Sequence, residues 1–265
     1  MAEQDPFEKT DPQRREGFLE AEAAGLAWLR AAGPGSARVV EVVAASADRL
    51  VLERLRPGRP TAADAAAFGA ALARTHAAGA RAFGARPEGY AGPLYIGNRR
   101  MPAIEDVSWG VVYARGRVLP FLEPARAAGA LTGAEEDLVR RACDRLLAGD
   151  FDDDEPPARL HGDLWAGNVV WMAEGGVLID PAAHGGHRET DLAMLALFGA
   201  PYLERILAAY DEAAPLRAGW HARVPLHQLH PLAVHAAGHG RGYGVELAAA
   251  AEAVLTLPAP GRGRA

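Results

Sequence analysis

Lysine is almost missing from this chain. Of its 28 basic residues, 27 are arginines and only Lys9 is a lysine (28 − 1 = 27). Asparagine is nearly as scarce, occurring only at Asn98 and Asn168. The single cysteine, Cys143, supports no internal disulfide and fits a reducing cytoplasm. No run is apolar for long enough to cross a bilayer, and the opening MAEQDPFEKT has no apolar signal core, so no membrane partner is expected. A basic excess is absent too. The net charge is -6, which offers no general grip on nucleic acid.

What is present is ordinary for a soluble protein: 265 residues, 49% hydrophobic and 23% charged, enough for one large domain or two unequal lobes. A lone lysine in a chain that otherwise writes arginine is either chance or a site that wants a compact ammonium. Its position alone leaves both readings open.

Residues 16–32 carry apolar side chains at helical spacing and end at Gly33 and Pro34. RVVEVVA (38–44) and RLVLERL (49–55) are β-branched and aliphatic runs that read as a hairpin. RPGRP (56–60) then interrupts structure and is the candidate linker. Beyond it, helices are expected over 62–78, 107–128 and 132–148, the last opening with Thr132 and Glu135 in capping-box spacing. The acidic run DFDDDE (150–155) reads as a solvated loop. Strands are expected at 169–172 and 177–179, and helices from Thr190 onward.

The informative stretch is LHGDLWAGNVVW, Leu160 to Trp171. Asp163 is followed after four residues by Asn168, and the hairpin then delivers Asp180 at a strand end. Phosphoryl transfer on a kinase-type scaffold uses this spacing. The plainer reading is that Asp163 and Asn168 are turn formers. On the kinase-type reading one carboxylate, Asp163, would sit beside the acceptor hydroxyl and take its proton. Asn168 and Asp180 would supply oxygen ligands for Mg²⁺ bridging the phosphates of ATP. Such a scaffold also pairs one lysine with the phosphates and braces it with a helix glutamate. This gives Lys9 a role, with Glu16, Glu20 and Glu22 as possible partners.

These residues resemble the fructosamine/ketosamine kinases. HGDLWAGN and LIDPAAHGGHRETDLAML (178–195) match that family's HGDLWxGN and DP…GHRExDLAM motifs. FEKTDP (7–12) is similar to its lysine strand, EAAGL (22–26) to its glutamate helix, and SWGVVYARGRVLP and PLHQLHPLAVH to later segments. The resemblance implies an α+β, protein-kinase-like fold of two lobes: a truncated small N-lobe at 1–55, a hinge at 56–60 and a mostly helical C-lobe at 61–265. It implies ATP-dependent phosphorylation of the 3-hydroxyl of a ketoamine, on a small molecule or a glycated protein amine. The resulting 3-phosphate is unstable and sheds the sugar, so the role would be glycation repair. It also singles out Glu22 as the partner of Lys9. Glu53 to Leu55 would meet adenine through the backbone, Trp165 would line the sugar pocket, and Asp191 would brace the catalytic loop. His187 and Arg188 are expected to support that loop or meet the acceptor, with a plain structural role as the alternative.

Two departures stand out. Ala183, His184 and Gly185 replace the bulky pair usual before GHRE, which is expected to alter acceptor choice. Only eight residues precede Lys9, so the glycine-rich phosphate loop is expected to be missing. Two other functions compete: a phosphotransferase for an aminoglycoside- or choline-like alcohol, and a truncated, non-catalytic pseudokinase. His221, His227, His230, His235 and His239 lack a zinc pattern and read as packing residues, and GHGRGYG (238–244) as a turn.

Overall fold

The computed structural model describes residues 5–258. A short strand, β1 (Phe7–Lys9), leads to helix α1 (Phe18–Arg30) and strands β2 (Arg38–Val39), β3 (Val42–Ala45) and β4 (Leu50–Leu52). α1 forms where apolar side chains recur at helical spacing, and it buries Leu19, Leu26 and Leu29. β1, β4 and β3 make one antiparallel sheet in that order, which sets Lys9 opposite Leu50. The expected hairpin is therefore β3 with β4 alone.

Helix α2 (Ala62–Ala77) opens on a capping box of Thr61 and Asp64. The hairpin of β5 (Leu94–Ile96) and β6 (Arg99–Met101) has strands of three residues, too short to leave a periodic signal. The helix expected over 107–128 is not continuous. It divides into α3 (Trp109–Val112), a π-helical turn over Tyr113–Val118, a 3₁₀ turn at Leu119–Phe121 and α4 (Leu122–Ala127). Pro120 has no N–H to give the ladder, and the wide turn admits the buried Arg117 side chain. Helix α5 (Gly133–Leu147) starts at the expected Thr132–Glu135 box.

Strand β7 (Ala158–Leu160) enters the HGD motif, and β8 (Val169–Met172) with β9 (Gly175–Leu178) forms the expected hairpin. β2 adds to β9 in parallel, with Val39 opposite Leu178, which explains why the 38–44 run splits. β10 (His184–Gly186) returns antiparallel to β7. Helices α6 (Glu189–Phe198), α7 (Leu203–Ala213), α8 (Trp220–His239) and α9 (Arg241–Thr256) follow. The GHGRGYG stretch is the α8–α9 junction, turning at Gly240 with φ +98°.

α8 carries Pro231 in its interior, which leaves the carbonyl of His227 without its helical donor. The Tyr113 hydroxyl donates to that carbonyl at 2.6 Å and accepts from His230 N at 3.1 Å. One apolar cluster joins α5, α8, α9 and the π turn. A second joins α1 and β4 to α2, β8, β9 and Tyr210 of α7, so residues on both sides of 56–60 share one core.

The acidic run 150–155 is not a solvated loop. Asp152 accepts from Gly110 N at 2.8 Å, while Asp153, 8% exposed at its side chain, lies 3.5 Å from His187 Nε2 and 3.4 Å from Arg217. Glu155 holds Arg188. Asp152, Asp153 and Glu155 are partly buried because each meets a cation or an amide from another element, a condition that composition alone does not reveal, whereas Asp154 stays exposed.

Candidate functional site

β1 and α1 bring Lys9 and Glu22 together. The ammonium donates to both Glu22 oxygens, at 2.8 and 2.9 Å, and to Asp180 Oδ1 at 2.8 Å. Burial opposes the charge on Lys9, but Glu22 and Asp180 outweigh it and raise its pKa above the ordinary lysine value. α1 approaches the 180–183 segment closely because Gly25 has no side chain. A Cβ there would lie 3.1 Å from that of Ala183.

The HGD loop is held from below. Asp191, fully buried on α6, accepts from His161 N at 2.7 Å and Gly162 N at 3.0 Å. Gly162 takes φ +81°, and a Cβ there would fall on the carbonyl of Ala182, so only glycine fits this turn. His161 donates from Nε2 to the carbonyl of Ile179 at 2.8 Å and accepts at Nδ1 from Asp163 N, a neutral tautomer consistent with burial lowering its pKa. Asn168 and Asp180 stand side by side because Ile179 N bonds Asn168 O at the base of the hairpin. Asp180 is held at φ +53°, which is uncommon for a residue with a side chain.

Asn168 Nδ2 donates to the carbonyl of Asp163 at 2.8 Å and to Asp163 Oδ2 at 3.2 Å. With the amide nitrogen committed, its carbonyl oxygen is left as an acceptor. Burial pushes the Asp163 carboxyl up to about 7, against the hydrogen bond from Asn168. A cavity of about 340 Å³ collects Lys9, Glu22, Asp163, Trp165, Asn168 and Asp180. The Asn168 and Asp180 oxygens are the hard donors Mg²⁺ selects.

Four expected residues are not on this lining. Glu53 accepts from Glu41 N and Arg38, Leu55 packs partly buried on the core, and neither lines the cavity. His187 and Arg188 are directed away from it, into the acidic segment, with Arg188 also donating to the carbonyls of Ala214 and Pro215. His187, Glu189 and His227 have ligand atoms within 4.8 Å of one another. Arg223 occupies both Glu189 oxygens, however, so the group is an ion-pair core.

Three contributors were not identified from sequence. Tyr95 and Asn98 of the β5–β6 hairpin line the cavity, and Asn98 accepts from Arg15 at 2.6 Å. The scarcity of asparagine was the available signal for Asn98. His76 on α2 sits beneath the loop, with Nε2 at 3.1 Å from Asp191 and Nδ1 at 2.8 Å from the Tyr210 hydroxyl.

The family described as fructosamine kinase matches the chain over residues 1–256. A protein of Enterococcus faecium named "Probable ketoamine kinase" is 33% identical over 244 residues, 91% of this chain and 84% of that protein. The crystal structure of a candidate fructosamine-3-kinase from Thermobifida fusca superposes with a TM-score of 0.87 at 45% identity, covering 95% of this chain and 86% of the other. A choline/ethanolamine kinase family protein from Mesorhizobium loti, at 16% identity and TM-score 0.60, covers 96% of this chain and 83% of its own and shares the fold.

Proposed function

The chain belongs to the fructosamine kinase family, phosphotransferases with an alcohol acceptor, and from that premise we propose that it transfers the γ-phosphoryl group of ATP to the 3-hydroxyl of a ketoamine. One observation carries the reading. Lys9 is clamped between Glu22 and Asp180 on the wall of a cavity that also receives Asp163 and Asn168.

Asp163 takes the proton of the acceptor hydroxyl, and a carboxyl held near 7 suits that transfer at neutral pH. Lys9, kept charged and oriented by Glu22, holds the phosphate oxygens. Asn168 and Asp180 would hold Mg²⁺, which would supply charge neutralisation at the transferring group. Trp165, 42% exposed at the cavity, presents an aromatic face to the sugar. Adenine meets the backbone of Glu53 to Leu55, and residues 56–60 act as the hinge between a small lobe at 1–55 and the helical remainder. His187 and Arg188 support the loop from behind and leave the acceptor to Trp165. The setting is the cytoplasm, and the substrate is a small ketoamine or a glycated protein amine, whose 3-phosphate then sheds the sugar. Among the described residues no helix is long and apolar enough to cross a membrane.

The test is ADP release from ATP on a ribulosamine, a fructosamine and kanamycin, with Mg²⁺ and with chelator. Turnover on a ketoamine that stops on chelation is expected. Turnover on kanamycin with none on either ketoamine would refute the acceptor.

A further inference from the structure

A second cavity is larger than the catalytic one. It measures about 710 Å³ and lies behind α1, lined among others by Trp28, Arg81, Arg86, Glu88, Tyr90 and Arg159. We propose that this cavity binds a small organic phosphate and that its occupant is coupled to the catalytic loop.

The chain carries a net charge of -6, yet this wall sets three arginines against one glutamate. Arg81 and Arg86 share Glu105, at 2.6 and 3.9 Å. Arg159 has no such partner. It is half-buried, and among the described residues no carboxylate lies within ion-pair distance of it. Its Nε and Nη1 donate to the carbonyls of Gly79 and Trp28, and its guanidinium lies 4.6 Å over the Trp28 ring. Nη2 makes no hydrogen bond among the described residues. Glu88 on the same wall acts on Arg159 through its charge without forming an ion pair, and the unbonded guanidinium edge, with a second arginine on that wall, suits a phosphate. The volume leaves room for the organic group that carries it.

Trp28 belongs to α1, the helix that carries Glu22. The Tyr90 hydroxyl sits at the start of that helix, its one proton shared between the carbonyls of Pro93 at 2.9 Å and Gly17 at 3.1 Å. Arg159 lies on β7, two residues before His161 and four before Asp163. A ligand on Nη2 leaves the bonds to Trp28 and Gly79 intact and stiffens the joint between α1 and β7. The Lys9–Glu22 clamp and the HGD loop both hang from that joint.

The probe is ribose 5-phosphate, titrated calorimetrically into the full chain, with ribose and inorganic phosphate as controls. One site is expected in the wild type and in Lys9→Met, because among the described residues Lys9 is the only cation lining the catalytic cavity. Affinity should fall about tenfold or more in Arg86→Gln and in Arg159→Gln, the loss expected for a hydrogen bond to a charged group. Saturating probe should lower the KM for ATP about fivefold in the wild type and not in Arg86→Gln. Binding that disappears in Lys9→Met but survives in Arg86→Gln would place the probe in the catalytic cavity and overturn the site. Inorganic phosphate binding as tightly as the ester would overturn the organic ligand, and an unchanged KM would overturn the coupling.

Discussion

At the scale of single residues, the roles of the two aspartates separate experimentally. Asp163→Asn should lower kcat by about 10² to 10⁴, the usual contribution of a general base. Nucleotide affinity should stay near wild type, because the role proposed for Asp163 is toward the acceptor and not the nucleotide. Asp180→Asn should instead weaken Mg²⁺–ATP binding, which calorimetry reads directly. Activity within about threefold of wild type for Asp163→Asn would remove it from the base role. Lys9→Arg keeps the charge but not the shape. The ammonium fits between two carboxylates at 2.8 Å, whereas a planar guanidinium directs its donors elsewhere. Steady-state kinetics should show at least about a tenfold loss in kcat/KM, roughly 1.4 kcal/mol. Glu22→Gln should show a similar defect, and the double variant should be less than additive because the pair acts as a unit.

At the scale of elements, the Pro231 break in α8 supplies a sharper test than a simple truncation. Tyr113→Phe leaves the buried His227 carbonyl without a donor, which costs about 1–3 kcal/mol. In the Tyr113→Phe background, Pro231→Ala restores an N–H at the position that normally serves that carbonyl. Part of the lost stability should return in urea unfolding. A double variant no more stable than Tyr113→Phe alone would show that the hydroxyl does not compensate for the proline. The elements also show what was legible in the sequence. α1, α2, α5 and the β8–β9 hairpin follow from apolar periodicity and capping residues, and Asp163, Asn168 and Asp180 from spacing alone. The 107–128 segment was legible as helical but not as broken, because π geometry serves the burial of Arg117, a tertiary event. β5, β6 and β10 are each three residues long and exist only through their pairing partners. His76 and Tyr210 were invisible for a related reason, since their role depends on Asp191 standing between helices distant in sequence.

At the scale of the whole molecule, acid stability should depend on the buried ion pairs around 150–155. Burial alone would raise Asp153, but the hydrogen bond and charge of His187, the amide of Glu155 and the charge of Arg217 hold it at about 2. Glu189 is lowered in the same sense by His227 and Arg223, against its own burial. Folded-state pKa values below the unfolded ones give stability that is present above about pH 4 and lost as pH falls towards about 2. Asp153→Asn should therefore be less stable than wild type at pH 6 and show a flatter decline between those pH values in thermal melts. Equal slopes for the two proteins would show that Asp153 does not carry the acid transition.

The clamp on Lys9 also bears on the chemistry of the protein's own surface. Reducing sugars condense with neutral amines, and the only side-chain amine in the sequence is protonated, three-quarters covered and shared between two carboxylates. The remaining basic positions are guanidinium groups, which stay charged at physiological pH. Lysine glycation of this chain thus has a single target, and that target is held in the form that does not react.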